Sequence, residues 1–309
     1  MQNANAGFIG LGRMGFAMAS NLAAANVPLT VFDVQTEPVE RLAEVGVPRA
    51  ETPKALAEQV DILFLCVPSE AEAEVVLFGE DGVSSRDSGT LAVVDTTTMN
   101  RGAAVRLAER CEAAGIRYSD CPISGKPHRA ENGSLTIMFG GTDTAFSEAQ
   151  PYLDILGEFI VHCGPIGSGQ LMKAVNNIIY DVNIAALCEV LPLALKAGLA
   201  PTTVADVVTS GSARSFASDF FVPRILRREF HGDFSLQAAH KDIVNIQDVT
   251  RELGAELPLV ETMIGIYERA IAEGLGDEPK SAMVKLYERQ LGQEVRLPAE
   301  NDGEQTDEA

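Results

Sequence analysis

The sequence predicts an α/β domain with a doubly wound, mostly parallel sheet, then a long interdomain helix and an all-helical C-terminal domain. Three observations carry that prediction. Short apolar runs alternate with helical patterns from Ala6 to about Gly164, as strands and crossover helices do in a parallel sheet covered on both faces. Gly10-Leu11-Gly12-Arg13-Met14-Gly15 stands between the first apolar run and the first helical pattern. Beyond Gly164 the alternation stops, and helical spacing continues to about Leu291 without a convincing strand.

The elements follow in order. Ala6–Ile9 is a short apolar strand, and Met14, Met18, Leu22 and Ala25 give the next stretch a helical stripe. Residues 28–33 form a second strand that ends in Asp33. Residues 62–67 are a buried strand stopped by Pro68, and Leu91–Asp95 is another, followed by a helix over 101–114. Residues 117–120, 135–139 and 159–162 are the later strands. Ser168–Lys196 is a long helical pattern closed by Gly198 as C-cap. At 1.5 Å per residue it runs on the order of 40 Å, enough to cross between domains; Pro192 either kinks it or ends it early. The resulting division is a first domain over 1–164, a helical domain over 165–293 that begins with the long helix, and an acidic disordered tail over 294–309.

Composition excludes several classes. The formal net charge of −20 over 309 residues opposes nucleic acid or an anionic membrane as partner. Glu300, Asp302, Glu304, Asp307 and Glu308 place part of that charge in the solvated tail. The five cysteines are scattered without ligand spacing, and the four histidines are not grouped; no metal site is expected, and reduced thiols point to a cytoplasmic protein. The first apolar stretch, broken by Arg13 and glycines, is not expected to be a signal peptide. No run of 18 or more apolar residues is expected to span a membrane.

The glycine turn has the context that dinucleotide binding requires: strand before, helix after, and an acid, Asp33, ending the next strand eighteen residues beyond Gly15. Gly10 permits the tight turn, Gly12 admits the pyrophosphate to the backbone, and Gly15 lets helix and strand pack closely. Leu11, Arg13 and Met14 complete the loop, and the phosphates would sit on the helix N-terminus. Asp33 can hydrogen-bond ribose hydroxyls and would repel a 2′-phosphate, and no arginine follows it, so NAD is expected in preference to NADP.

Four segments carry a resemblance to the β-hydroxyacid dehydrogenase family, which includes 3-hydroxyisobutyrate dehydrogenases and tartronate semialdehyde reductases. They are residues 7–15 with Met18-Ala19-Ser20-Asn21-Leu22; Asp120-Cys121-Pro122-Ile123-Ser124-Gly125 leading to 133–141; residues 167–177; and Phe234 followed by Lys241-Asp242. The resemblance implies a Rossmann-like first domain, a helical second domain, and assembly as a homodimer or homotetramer. It implies Lys173 as general acid/base, Asn177 holding the substrate hydroxyl or orienting Lys173, and Ser124 with Gly125 cradling the substrate carboxylate. Lys241 is then a substrate or cofactor contact. Val67, Pro68 and Thr98 line the cofactor, and Phe234 packs near the nicotinamide or in the core.

Lys173 and Asn177 are four apart and so share a helix face. A free lysine titrates at about 10.4; burial and a positive nicotinamide would lower it toward a useful base. A lysine that only covers an interface with its stem is the plainer alternative. The chain departs from the family after Gly125, where Lys126-Pro127-His128-Arg129 replaces glycine and small residues. These positive groups either recognise a second anionic group on the substrate, with Lys126 as a substrate contact, or form a basic surface loop. The function expected is NAD-dependent interconversion of a small 3-hydroxy acid and its semialdehyde or keto acid. The alternatives are reduction of an aldehyde acid (tartronate semialdehyde, succinic semialdehyde or sulfolactaldehyde) and a non-catalytic nucleotide-binding interaction protein on the same fold.

Overall fold

The computed structural model describes residues 5–87, 89–232 and 234–298. The first part of the chain runs β1 (Ala6–Ile9), α1 (Gly15–Ala24), β2 (Leu29–Phe32), α2 (Thr36–Ala43), α3 (Pro53–Ala57), β3 (Ile62–Leu65), α4 (Glu70–Phe78), β4 (Leu91–Asp95), α5 (Arg101–Ala113) and β5 (Ile116–Asp120). It continues with β6 (Ile123–Ser124), α6 (Lys126–Glu131), β7 (Leu135–Gly140), α7 (Asp143–Leu156) and β8 (Gly157–Gly164). One eight-stranded sheet results, in the order β2-β1-β3-β4-β5-β7-β6, with β8 also paired to β7. The first five strands are parallel to one another, β7 runs antiparallel to β5 and β6, and β8 is parallel to β7.

β1, β3 and β4 are buried along their whole length, which is why each reads as an apolar run. Phe8, Phe64, Val94 and Phe139 belong to one core with Met18 and Leu22 of α1. Ile9, Leu63, Leu65 and Val93 belong to the other core with Leu77 and Leu107. The register matters for the site. Phe32, Ile9, Leu65, Asp95, Asp120 and Gly140 are paired in turn as one row across the sheet. The five parallel strands therefore end level, and the residues just after them emerge along one edge, where such folds bind ligands.

The helices after β8 are α8 (Ser168–Lys196), α9 (Pro201–Ser210), α10 (Phe216–Leu226), α11 (Leu236–Ile243), α12 (Ile246–Leu253), α13 (Pro258–Ala270) and α14 (Val284–Leu291). The chain divides into two compact units. The first is Met1–Val175 with Asn245–Arg251, and the second is Asn176–Val244 with Glu252–Ala309. The boundary thus falls inside α8, later than the Gly164 where the sequence pattern changes. Pro192 does not end α8, which continues to Lys196.

α8 is also apolar, with a mean hydropathy of 1.8 over an 18-residue window, so by length and composition alone it is long enough to cross a membrane. This departs from the expectation of no spanning run, because polar residues such as Asp181 interrupt the apolar run without lowering the mean hydropathy of the window below that level; 44% of that window is buried within the protein.

The second unit buries Ile184, Leu187, Leu191, Phe221, Ile225, Tyr267 and Met283. At its centre Asp181 accepts hydrogen bonds from Lys280 Nζ at 2.5 Å and from Tyr267 Oη at 2.8 Å. Within the stretch expected as an acidic tail, 294–309, Val295 is fully buried, and its N–H donates to Glu288 at 2.7 Å. Residues 299–309, which carry the five acids, lie outside the described residues.

Candidate active site

The glycine turn is built as its three glycines require. Gly10 has φ +92°, and a Cβ there would lie 2.1 Å from the Cys66 carbonyl oxygen. A Cβ on Gly15 would lie 1.9 Å from the Gly10 carbonyl oxygen. Gly12 differs: beyond its immediate chain neighbours, no atom lies within 4 Å of its would-be Cβ. The first turn of α1 carries no acidic side chain, Arg13 is exposed and Met14 half-buried. An open approach over Gly12 at a helix N-terminus fits a dinucleotide pyrophosphate. Asp33 holds this loop in place. One carboxylate oxygen accepts from the Leu11 N–H at 2.5 Å and the other from the Gln35 N–H at 2.7 Å.

The loops after β3 and β4 interlock. The Thr97 hydroxyl accepts from the Val67 N–H at 3.2 Å, and the Thr96 hydroxyl donates to the Leu65 carbonyl at 2.8 Å. Asp95 accepts from the Thr97 N–H and from Tyr118 Oη, both at 2.9 Å. Val67 and Thr98 are half-buried beside these bonds and Pro68 is exposed. Burial pushes the Asp95 carboxyl up to about 6, against the opposing effect of its hydrogen bonds to Thr97 and Tyr118.

Asp120 fastens the start of α8 to the end of β5. Its carboxylate accepts from the Gly167 N–H at 2.6 Å and the Gln170 N–H at 2.8 Å, which are donors that a helix N-terminus leaves without intrahelical partners. Burial pushes this carboxyl up to about 6 as well, even though the backbone N–H groups favour its charged form. The fit is close: a Cβ on Gly140 would lie 2.3 Å from Asp120 Oδ1, and one on Gly169 2.8 Å from Oδ2. With its first turn fixed, α8 directs Lys173 at β6. Lys173 is half-buried, and its Nζ donates to the Ile123 carbonyl at 2.7 Å. Its ammonium therefore sits at the residue before Ser124. Ser124 is half-buried and pairs with Thr136, and Gly125 takes φ +153° where a Cβ would press on Arg129.

The basic departure proves to be the short helix α6. Lys126 adopts φ +61°, a left-handed conformation that costs a non-glycine residue about 1–2 kcal/mol. Arg129 faces Glu158 at 3.7 Å, and His128 is exposed.

The first unit thus brings together the glycine turn, Asp33, Val67, Thr98, Ser124 and Lys173. Pro68, Gly125 and Lys126 belong to the same unit, and Asn177, Phe234 and Lys241 to the second. Asn177 is half-buried on α8, one turn beyond Lys173, and accepts from Asn176 Nδ2 at 3.4 Å. Phe234 is 47% exposed just before Ser235, the N-cap of α11, and Lys241 is exposed in the last turn of that helix. Among the described residues no cluster of His, Cys, Asp and Glu could hold a metal ion.

Residues 5–164 match the profile of the NAD binding domain of 6-phosphogluconate dehydrogenase. Residues 167–287 match that described as the NAD-binding region of NADP-dependent 3-hydroxyisobutyrate dehydrogenase. The chain is 34% identical over 290 residues to 2-(hydroxymethyl)glutarate dehydrogenase of Eubacterium barkeri, covering 94% of this chain and 96% of that protein. It belongs to the β-hydroxyacid dehydrogenase family. It is also 34% identical to 2-hydroxy-3-oxopropionate reductase of Escherichia coli, over 91% of this chain and 96% of the relative. The crystal structure of 3-hydroxyisobutyrate dehydrogenase from Salmonella typhimurium superposes with a TM-score of 0.82 at 27% identity, covering 91% of this chain and 99% of that one. Membership makes the chain an NAD(P)-dependent dehydrogenase acting on CH–OH groups.

Sequence reasoning gave no individual role to Asp95, Tyr118, Asp120 or Gln170. The signal for the two carboxylates is an acid at the end of each of two strands, β4 and β5, where a buried charge is costly unless something receives it.

Proposed function

We propose that this chain interconverts a small 3-hydroxy acid and its semialdehyde or keto acid with NAD, using Lys173 as the proton-transferring group. One observation carries the proposal: the Lys173 ammonium is held 2.7 Å from the Ile123 carbonyl, at the entrance to the Ser124-Gly125 turn. The cofactor supplies hydride transfer when bound, with Gly10, Gly12, Gly15 and the loops at Val67 and Thr98 to hold it. Ser124 and the adjoining backbone N–H groups receive the substrate carboxylate. Lys173 donates a proton to the carbonyl oxygen during reduction and takes the hydroxyl proton during oxidation. Asn177 orients the hydroxyl or the lysine. Aldehyde acids such as tartronate, succinic or sulfolactaldehyde substrates enter the same scheme in the reducing direction.

Asp33 supports NAD over NADP: its carboxylate is fixed beside the glycine turn by two backbone donors and opposes a 2′-phosphate. Five unpaired cysteines support a reducing, cytoplasmic setting, the family supports a homodimer or homotetramer, and the net charge of −20 opposes a nucleic-acid or anionic membrane partner. The test is the appearance of the reduced cofactor by absorbance, with NAD and NADP, over a panel of hydroxy acids and aldehyde acids. Lys173→Ala is expected to lower kcat by about 10²–10⁴-fold; an unchanged kcat refutes the assignment.

A dianionic substrate is favoured by a specific observation. Lys126 occupies a backbone conformation suited to glycine, and such strain tends to be retained at functional sites. A relative is named for a glutarate, a dicarboxylate skeleton. Lys126 directly follows Gly125 in the chain, and its ammonium is the group assigned here to the second charge. Lys126→Gly is expected to raise stability by about 1 kcal/mol while raising KM for dianionic substrates alone. Equal KM changes for mono-acids and diacids would return the segment to surface decoration.

A further inference from the structure

Gln170 is 2% exposed and makes two hydrogen bonds at once to the loop after β4. Its Oε1 accepts from the Met99 N–H at 3.1 Å, and its Nε2 donates to the Thr97 carbonyl at 2.7 Å. The main-chain N–H of this same residue is held by Asp120 at 2.8 Å. Lys173 follows one helical turn later, about 4.5 Å along the axis. On the other side, the Thr97 hydroxyl receives the Val67 N–H, and Thr98 lies between the two backbone groups that Gln170 grips. A primary amide is the neutral side chain that can donate and accept in one plane, which is what a paired N–H and C=O demand.

We propose that Gln170 is a positioning residue. It sets the distance between Lys173 and the Thr97-Thr98-Met99 loop, so that the proton-transferring amine is registered against the wall that lines the cofactor. The inference rests on the reading of Lys173 given above. Asp120 fixes the axial start of α8, and Gln170 fixes its rotation and its distance from β4. Without Gln170, the Asp120 anchor remains and the helix still begins at β5, but nothing in this network holds the Lys173 face to the Thr98 loop.

The test uses Gln170→Leu, Gln170→Glu and Lys173→Ala beside the wild type, with three readouts. In Gln170→Leu, kcat is expected to fall about 10–100-fold, the cost of a small misplacement of reacting groups, while the dissociation constant for NAD stays within threefold. Gln170→Glu is the conservative rescue. Protonated, it makes both hydrogen bonds; ionised, its carboxylate opposes the Thr97 carbonyl. Its kcat is therefore expected to approach wild type in acid and to gain a falling limb between about pH 5 and about pH 9 that the wild type lacks.

The third readout needs no turnover. Acetic anhydride labelling of Lys173, read by mass spectrometry of its peptide, is expected to be at least threefold faster in Gln170→Leu. Should the wild type be active and Lys173→Ala inactive, yet Gln170→Leu match wild type in kcat and labelling, the positioning proposal alone is overturned. Should Lys173→Ala retain full activity, the reading of Lys173 fails instead. With a wild type silent on every substrate, equal labelling in wild type and Gln170→Leu overturns the proposal, and faster labelling supports it. If the leucine variant does not fold, the pH limb of Gln170→Glu decides, and a profile parallel to wild type overturns the proposal.

Discussion

Gly12 and Gly15 belong to one motif but answer different physical demands, and alanine at each should separate binding from folding. At Gly12 an added Cβ meets no atom within 4 Å, and no left-handed φ forbids it. Gly12→Ala should therefore leave the unfolding free energy unchanged or raise it by about 0.4–1 kcal/mol, by narrowing the unfolded ensemble. The methyl does occupy the approach that a pyrophosphate needs, and the Kd for NAD should rise at least ~10-fold, about 1.4 kcal/mol. At Gly15 the Cβ would stand 1.9 Å from the Gly10 carbonyl oxygen. Backbone must move, and overpacking of this kind costs about 1–3 kcal/mol or more. Urea unfolding gives the stability, and calorimetric titration with NAD gives the affinity. A Gly12→Ala protein that binds NAD with unchanged Kd would refute the placement of the pyrophosphate over Gly12. A Gly15→Ala protein of wild-type stability would refute the packing argument.

Three further outcomes follow from other contacts. Asp95 is raised from 3.8 to about 6, so the folded chain holds this proton over a range where the unfolded chain has released it. The stability it confers is fully present below about pH 3.8 and is lost as pH rises through about 6, by about 3 kcal/mol. Asp95→Asn should flatten that stretch of the stability-against-pH curve measured by urea unfolding, and a curve parallel to wild type counts against it. Lys280→Met leaves the fully buried Asp181 carboxylate without its cation, and should cost about 3–5 kcal/mol; a loss below ~1 kcal/mol on the same assay would mean that Tyr267 suffices. Asp33→Ser removes the charge that opposes a 2′-phosphate and also the clamp on Leu11, so kcat/KM should fall with NAD and rise relative to it with NADP; an unchanged NAD-to-NADP ratio would show that Asp33 does not select the cofactor.

The fold was legible where side chains repeat with a period, and the site where they form a motif. All seven expected strands form, and the plainest are those buried on both faces, which give unbroken apolar runs such as Ile62–Leu65. β6 escaped notice because two residues, Ile123 and Ser124, carry no period. The antiparallel turn of β7 was hidden for a different reason, since direction depends on connections and not on side chains. The roles of Asp120 and Gln170 were invisible because their partners are backbone groups far along the chain: Gly167 lies 47 residues from Asp120, and Met99 71 residues from Gln170. A side chain bonded to the main chain leaves no complementary residue type for sequence reasoning to find.

The site follows from one geometric fact, the level ends of the parallel strands. Because Ile9, Leu65, Asp95 and Asp120 stand in one row, the next residues of each strand emerge side by side: Gly10 into the glycine turn, Cys66-Val67 and Thr96-Thr97 into the two interlocked loops, Cys121 toward Ser124. After β8, the last strand, the chain passes into α8. Two carboxylates close the row, and both are raised by burial; each is tolerated because it receives backbone or hydroxyl donors. One of them turns that cost to use, since Asp120 satisfies the open donors of α8 and thereby fixes where Lys173 falls. The lysine, on a helix outside the sheet, is thus located by the same row of strand ends that locates the glycine turn and the loops after β3 and β4. An insertion of one residue between Gly167 and Lys173 would rotate the amine by about 100°, away from Ile123, while leaving every strand intact.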